Sequence, residues 1–436
     1  MAIAKEAGRA GASTLGERVR AARKELGLSQ AQLAGDELTK GFISQLESGL
    51  VRPSIRSLQV IATRLAKPLD YFLGDEPLAT GKRVAFHRLA AETAVERKDW
   101  AAVREQVGRA LAEDPEPRER ARFLLFLAEA EAAAASYERT FELVSSALGL
   151  VDVTTDAHLV ASLLFVRGST YGESGQLVAA TEALETCRDT VERYEVLDPR
   201  LRSRLMVALG TAYRRLKRSS KALTSYEAAL ATATRASEMA IAARGYMGIA
   251  ATHYDAGELD AAISSYRRAL DLFQRVSDVD FELNALQSIG IVQFEKGETA
   301  AAKASAQRAM ARALEVGDAH WAAVAEVILA RVALVEGDPD ASLVKAQHGE
   351  RILSEAGDRI QQADALGAIG AAQEALGRHS EADAAYRGSL DLYTTVGDLA
   401  DRSGMAAEYA RVLKSRGDMD AAFAMLELAR GALAAR

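Results

Sequence analysis

The chain has 436 residues, a net charge of −7, seven prolines and a single cysteine, Cys187, which excludes an internal disulfide and any cysteine-based zinc site. Hydrophobic residues make up 49% but aromatics only 6%, so much of the apolar content is alanine, which favours packed helices over sheet. The start, MAIAKEAGRAGAS, has no apolar segment of a secretory leader, and even AAVAEVILARVALV (322–335) is broken by Glu326 and Arg331. The expectation is a cytoplasmic protein that does not enter a membrane. Charge is unevenly spread: residues 1–73 hold 11 Lys and Arg against 7 Asp and Glu, or +4, which leaves −11 for the rest. A small basic head on a large acidic body fits a head that meets polyanions.

Residues 1–13 read as disordered. LGERVRAARKELG (15–27) places Leu15, Val19, Ala22 and Leu26 at helical spacing and stops at Gly27. Ser29 caps a short helix, SQAQLA, and Thr39 caps the next, which ends at Gly49. SIRSLQVIATRL (54–65) aligns Ile55, Leu58, Ile61, Ala62 and Leu65 on one face, and Pro68 starts a last short helix, PLDYFLG. Five short helices thus occupy residues 14–73, and a linker is expected over 74–82.

On the third helix, Ile43 and Leu46 point inward with Phe42 at the border. Lys40, Gly41, Ser44, Gln45 and Ser48 point outward or flank that face. Such a face suits a major groove: glycine permits close approach, an amide pairs with an adenine edge, and lysine reaches guanine or phosphate.

From residue 83 to 436 the sequence repeats. Glycines recur at 257, 297, 337, 377 and 417, a period of 40, within phrases such as IAATHYDAGELDAAISSYRRAL (249–270). Asp278, Asp318, Asp358 and Asp398 keep the same phase, and Tyr226, Tyr266 and Tyr386 share one position. About nine units are expected, each a helical hairpin that buries its apolar face only by stacking on its neighbours. The predicted fold is therefore all-α: a five-helix head followed by an α-solenoid.

The repeat phrase resembles the tetratricopeptide repeat through Ile249-Ala250, Tyr254, Gly257, Ala262, Tyr266 and Ala269-Leu270. The head resembles the Cro/repressor-type helix-turn-helix family through Arg23, Leu28-Ser29-Gln30, Leu33-Ala34, Ile43-Ser44-Gln45-Leu46-Glu47, Gly49, Pro53, Leu58, Ile61-Ala62 and Leu65. It departs by one residue fewer between Leu33-Ala34 and Ser44, and by lacking the usual turn glycine. That resemblance implies double-stranded DNA as partner, read as an inverted repeat by a homodimer. Gln30, Thr39, Lys40, Gly41, Ser44, Gln45, Ser48 and Arg52 are the expected DNA-facing residues, with Gln30 and Arg52 on phosphates. Arg23 and Glu47 are expected to pair with each other within the head.

Carried over from tetratricopeptide arrays, first-helix positions give a groove with Arg204, Arg214, Arg215, Arg244, Tyr254, Asn284, Gln287, Phe294 and Arg331. Arginines beside amide and aromatic groups suit a short peptide or an acidic protein partner. A Cro-type head on such an array is similar to the quorum-sensing peptide receptors of Gram-positive bacteria, whose grooves lean on asparagines; this chain has one asparagine, Asn284. The implied function is a transcriptional regulator with a DNA-binding head and a peptide- or protein-sensing solenoid. The alternatives are an interaction scaffold or a fixed dimeric repressor. The sequence carries no GxGxxG, P-loop, HExxH or GxSxG, so neither an enzyme nor a metal or cofactor is expected.

Overall fold

The computed structural model describes residues 14–51, 53–67, 71–72, 80–397 and 399–434, and these form 22 helices and no strand. None is long and apolar enough to cross a membrane. Arg52, residues 1–13, Asp398, most of the expected linker and the start of the helix expected from Pro68 lie outside the described residues. The chain divides into two compact units, one ending at Thr170 and the other beginning at Tyr171.

The first unit opens with α1 (Leu15–Glu25), α2 (Gln30–Ala34), α3 (Lys40–Glu47) and α4 (Ile55–Arg64). Local chemistry sets their ends. Thr14 and Ser29 each accept from the third backbone N–H of the helix they precede, while Glu17 and Gln32 accept from the cap residue's own N–H. Thr39 Oγ1 accepts from the Phe42 N–H at 3.1 Å, which starts α3 without a turn glycine. Val19, Leu33, Ile43, Leu46, Ile61 and Leu65 form a fully buried core among these helices. At Gly16 an added Cβ would collide with the Leu46 carbonyl oxygen, so only glycine lets α1 approach α3 this closely.

The first unit continues with the hairpins α5 (Thr80–Glu96)–α6 (Trp100–Ala112) and α7 (Pro117–Ala133)–α8 (Tyr137–Leu148), and with most of α9 (Val153–Glu173). Gln59 Nε2 of α4 donates to Thr93 Oγ1 of α5 at 2.8 Å, tying the head to the first hairpin.

The second unit continues the array with α10 (Leu177–Arg193), α11 (Pro199–Arg215)–α12 (Ser219–Arg235), α13 (Met239–Asp255)–α14 (Leu259–Arg275) and α15 (Val279–Glu295)–α16 (Thr299–Val316). It ends with α17 (Ala319–Val335)–α18 (Pro339–Ala356), α19 (Arg359–Ala375)–α20 (His379–Val396) and α21 (Leu399–Ser415)–α22 (Met419–Ala434). Among the described residues, α5 to α8 make two hairpins and α11 to α22 make six, and with the head the helices give an all-α helix-turn-helix domain followed by a tetratricopeptide-like solenoid. The periodic glycines sit in the turn inside each hairpin at positive φ, +77° at Gly257 and +84° at Gly417, where an L side chain would be strained. Asp318 and Asp358 cap the following helices by accepting from the Trp321 and Gln361 N–H groups at 3.0 and 3.1 Å.

Small residues fill the seams. Ala243, Ala250, Ala262 and Ala269 are fully buried, and the Tyr226 ring packs closely against Gly210 and Gly248. A Cβ on Gly248 would clash with the Tyr226 ring, so Gly248→Ala should destabilise the second unit by about 1–3 kcal/mol. A lowered thermal midpoint checks this; an unchanged one would show that the ring can move aside.

The last helix, α22, is only partly covered. Met425 and Leu428 pack inward against the terminal core, whereas Phe423 and Leu426 stay exposed, at 64% and 50%, together with Met419.

Candidate functional sites: an outward helix face and a cavity in the array

Two features stand apart from packing. The first is the outer face of α3. Ile43 and Leu46 are buried and Phe42 half-buried, as helical geometry requires, while Thr39, Lys40, Gly41, Gln45 and Ser48 are exposed and Ser44 is half-buried. Ser48 Oγ donates to the Ser44 carbonyl at 2.8 Å. Nothing in the fold needs the glycine at 41. A Cβ there would meet only Thr39 Oγ1, at 4.0 Å. A glycine inside a helix costs up to about 1 kcal/mol relative to alanine, so its use on an open, polar face suits an outside surface that comes close.

Beneath that face the Glu47 carboxylate, its side chain fully buried, collects donors from three side chains. Arg23 Nε and Nη2 reach its two oxygens at 2.5 and 3.0 Å, Gln30 Nε2 donates at 2.9 Å, and Arg20 Nε lies at 3.4 Å. Burial pushes the Glu47 carboxyl up, but the hydrogen bonds from Arg23 and Gln30 and the Arg23 charge outweigh it and hold the group below its ordinary value. The Gln30 amide thus braces α3 from inside, beside whatever outward role it has. Leu50, 78% exposed just after α3, is a neighbour of this surface that sequence reasoning did not single out.

The second feature is a cavity of about 310 Å³ in the second unit, built mainly from first helices of successive hairpins, with Tyr266 of α14 added. Tyr254, Gln287, Phe294 and Arg331, all expected groove residues, line it together with Ile291, Val324 and Val327. The other expected groove residues do not line it. Arg214 pairs with Asp255 at 3.0 Å, Arg215 donates to the Gly172 carbonyl at 2.6 Å, and the Arg244 guanidinium lies over the Phe281 ring, 4.7 Å from its centre. Arg204 is exposed and Asn284 half-buried, both outside the lining.

Sequence reasoning missed Ile360, Gln361, Asp364 and Asp401, which close the cavity from α19 and α21. The signal was available, because Asp364 stands 40 residues after Val324 and Asp401 40 after Gln361. Gln287 Nε2 donates to Gln361 Oε1 at 3.2 Å across the cavity, and the Tyr254 hydroxyl donates to Glu295. Burial and that bond to Glu295 push the Tyr254 phenol well above its ordinary value. Arg331 Nη2 lies 3.6 Å from Asp364, which also accepts from the Tyr393 hydroxyl at 2.8 Å. The arrangement is an apolar floor with a few fixed polar groups, the composition of a small-ligand or peptide-side-chain site.

Comparison with known proteins agrees with this division. Residues 19–72 match the family model described as Helix-turn-helix, and residues 205–240 and 241–315 match two models described as Tetratricopeptide repeat. No curated protein matches the chain. Among solved structures the chain is similar to the apo form of the quorum sensor NprR from B. thuringiensis, 12% identical over 86% of this chain and 99% of that one, with a TM-score of 0.60. It is similar to a Rap protein complexed with Competence and Sporulation Factor, 15% identical over 82% and 99%, with a TM-score of 0.63. It also resembles the Rap conjugation gene regulator of the plasmid pLS20 in complex with a Phr peptide, 15% identical over 79% and 95%, with a TM-score of 0.55. At these identities the likeness is one of fold.

Proposed function

We propose that this helix-turn-helix protein with a tetratricopeptide array is a sequence-specific transcriptional regulator whose array binds a regulatory peptide that modulates DNA binding. The observation that carries the DNA half is the outer face of α3, polar and open around a glycine the fold does not use. Gln45, exposed at its centre, is the proposed reader of a base edge, with Lys40 and Gly41 also exposed. Gln45→Ala should relax preference at one base position at a cost of about 1–3 kcal/mol at the preferred site. Equal affinity of both proteins across a set of single-base variants would remove Gln45 from the reading surface. Arg52, expected on phosphate, lies outside the described residues.

The cavity at Tyr254, Gln287, Phe294 and Arg331 supports the sensing half. So does the fold shared with a quorum sensor and with a Rap regulator solved with a peptide. Stacked repeats contact only their neighbours, so a ligand that favours one packing of successive hairpins alters the array stepwise. Such a ligand must bind two states unequally, and a typical coupling of about 2–3 kcal/mol would change DNA affinity by one to two orders of magnitude.

A repressor-type head reads few base pairs alone, so specificity requires two heads on adjoining half-sites. The exposed Met419, Phe423 and Leu426 lie along one stripe of α22, and a second copy of the chain is the proposed cover. Phe423→Glu should therefore shift a dimer toward monomer in light scattering at micromolar concentration and weaken binding to an inverted repeat more than to a half-site. An unchanged mass would place the dimer contact elsewhere.

A further inference from the structure

The turn that closes α3 holds an apolar side chain in water. The Gly49 N–H donates to the Leu46 carbonyl at 3.0 Å and the Leu50 N–H to the Gln45 carbonyl at 2.9 Å, with Gly49 in the left-handed region at φ +73°. This pair of bonds is a common way for a helix to end at glycine, and the apolar residue after the glycine often packs back on the last turn. Here the positions it would meet are Ser44 and Gln45, both polar, and Leu50 stays 78% exposed. Among the described residues of the head it is the most exposed large apolar side chain, followed by Leu26 at 47%. Exposure of one leucine is ordinary. What sets this one apart is that its backbone is bonded to the turn carrying Gln45, which makes it a fixed apolar point beside a polar face.

Its size and its neighbours limit what can cover it. Ser48 and Gly49 beside it are exposed, so the apolar patch is one side chain wide, whereas a stable contact between protein surfaces takes about 800 Å² from each partner. In a major groove a single apolar group does meet a counterpart of its own size, the 5-methyl group of thymine, which none of the other three standard bases presents. We infer that Leu50 covers a thymine methyl group near the base pair that Gln45 reads, so that an apolar contact selects sequence alongside an amide. This rests on the DNA-binding reading above and adds a specificity-determining residue and the base it selects. Leu50 has no charge and no side-chain hydrogen-bonding group, so it takes no phosphate and no share of the salt dependence.

The test takes the duplex that full-length protein enriches from a randomised pool and replaces each thymine in turn by deoxyuridine, which removes the methyl group and leaves the pairing edge unchanged. At the thymine under Leu50 this should weaken wild type by about fourfold per half-site, the worth of one buried methyl-sized group, and by roughly fifteenfold when both half-sites are changed. The Leu50 side chain is exposed, so Leu50→Ala leaves the core of the head untouched. That variant should bind the thymine and deoxyuridine duplexes within about twofold of each other, with the salt dependence of wild type. Leu50→Met, still apolar and of similar reach, should keep most of the discrimination. If no thymine of the site responds to loss of its methyl group, the inference is overturned while the DNA-binding reading stands. The same holds if Leu50→Ala keeps the discrimination, or weakens both duplexes equally as a contact between two heads would. If no duplex is enriched at all, the DNA-binding reading fails and this inference with it.

Discussion

Gly41→Glu should abolish specific DNA binding, a loss on the order of 100-fold or more, while leaving the head at least as stable as before. Both halves of that expectation come from the same geometry. The Cβ position at 41 is open apart from Thr39 Oγ1 at 4.0 Å, so a side chain costs the fold nothing sterically. Replacing a helical glycine gains up to about 1 kcal/mol in propensity, and an acidic residue in the first turn is favoured by the helix dipole. Against a duplex the same side chain adds bulk where close approach is needed and a negative charge facing phosphates. Gly41→Ala separates the two causes: a methyl group without charge should still cost several-fold in affinity. If Gly41→Ala bound every sequence like wild type, α3 would not present this face to the bases.

The second large effect is internal. Glu47→Ala should destabilise the head by about 3 kcal/mol, because it leaves Arg23 without its carboxylate and deprives Gln30 of its acceptor. Glu47→Gln, which keeps an acceptor but not the charge, should cost less. Hydrogen exchange of the segment 15–67 is the suitable readout, since it reports the head without the array: faster exchange there with an unchanged second unit is expected. Unchanged exchange in both would mean that the buried pair is energetically neutral. The same network gives a pH dependence of definite sign. The folded Glu47 carboxyl lies below its ordinary value, so its contribution is fully present above that value and is lost as pH falls through the lower, folded one. Head protection should therefore fall on acidification below the ordinary carboxylate range, and Glu47→Gln should remove that part of the dependence.

The fold was legible because its signals are local and repeated. Thr39 marks the start of α3 as a cap needing no partner beyond its own helix, and the glycines at 257, 297, 337, 377 and 417 mark each turn by backbone strain alone. The cavity was half legible. Tyr254, Gln287, Phe294 and Arg331 follow from repeat phase, but the residues that complete the lining come from hairpins further along, where helices distant in sequence converge. The state of the arginines was missed for a related reason. Arg214 meets Asp255, 41 residues on, and Arg331 meets Asp364, 33 residues on. Those separations are near one repeat, so each arginine reaches a carboxylate on the adjoining hairpin. Within a 40-residue array, an acidic residue one period from an arginine is a candidate partner, and counting charges along one helix does not reveal it. On α22, composition alone does not separate Met425 and Leu428, which pack inward, from Phe423, which stays exposed, because the difference lies in which neighbours the helix meets.

The central claim, a sequence-reading head, is tested most directly by selecting duplexes from a randomised pool with full-length protein and measuring affinity for the winners across a salt series. The account predicts enrichment of an inverted repeat with half-sites about one helical turn apart. Its binding should fall steeply with salt, and Gly41→Glu should enrich nothing. Recovery of no sequence above the unselected pool would contradict it.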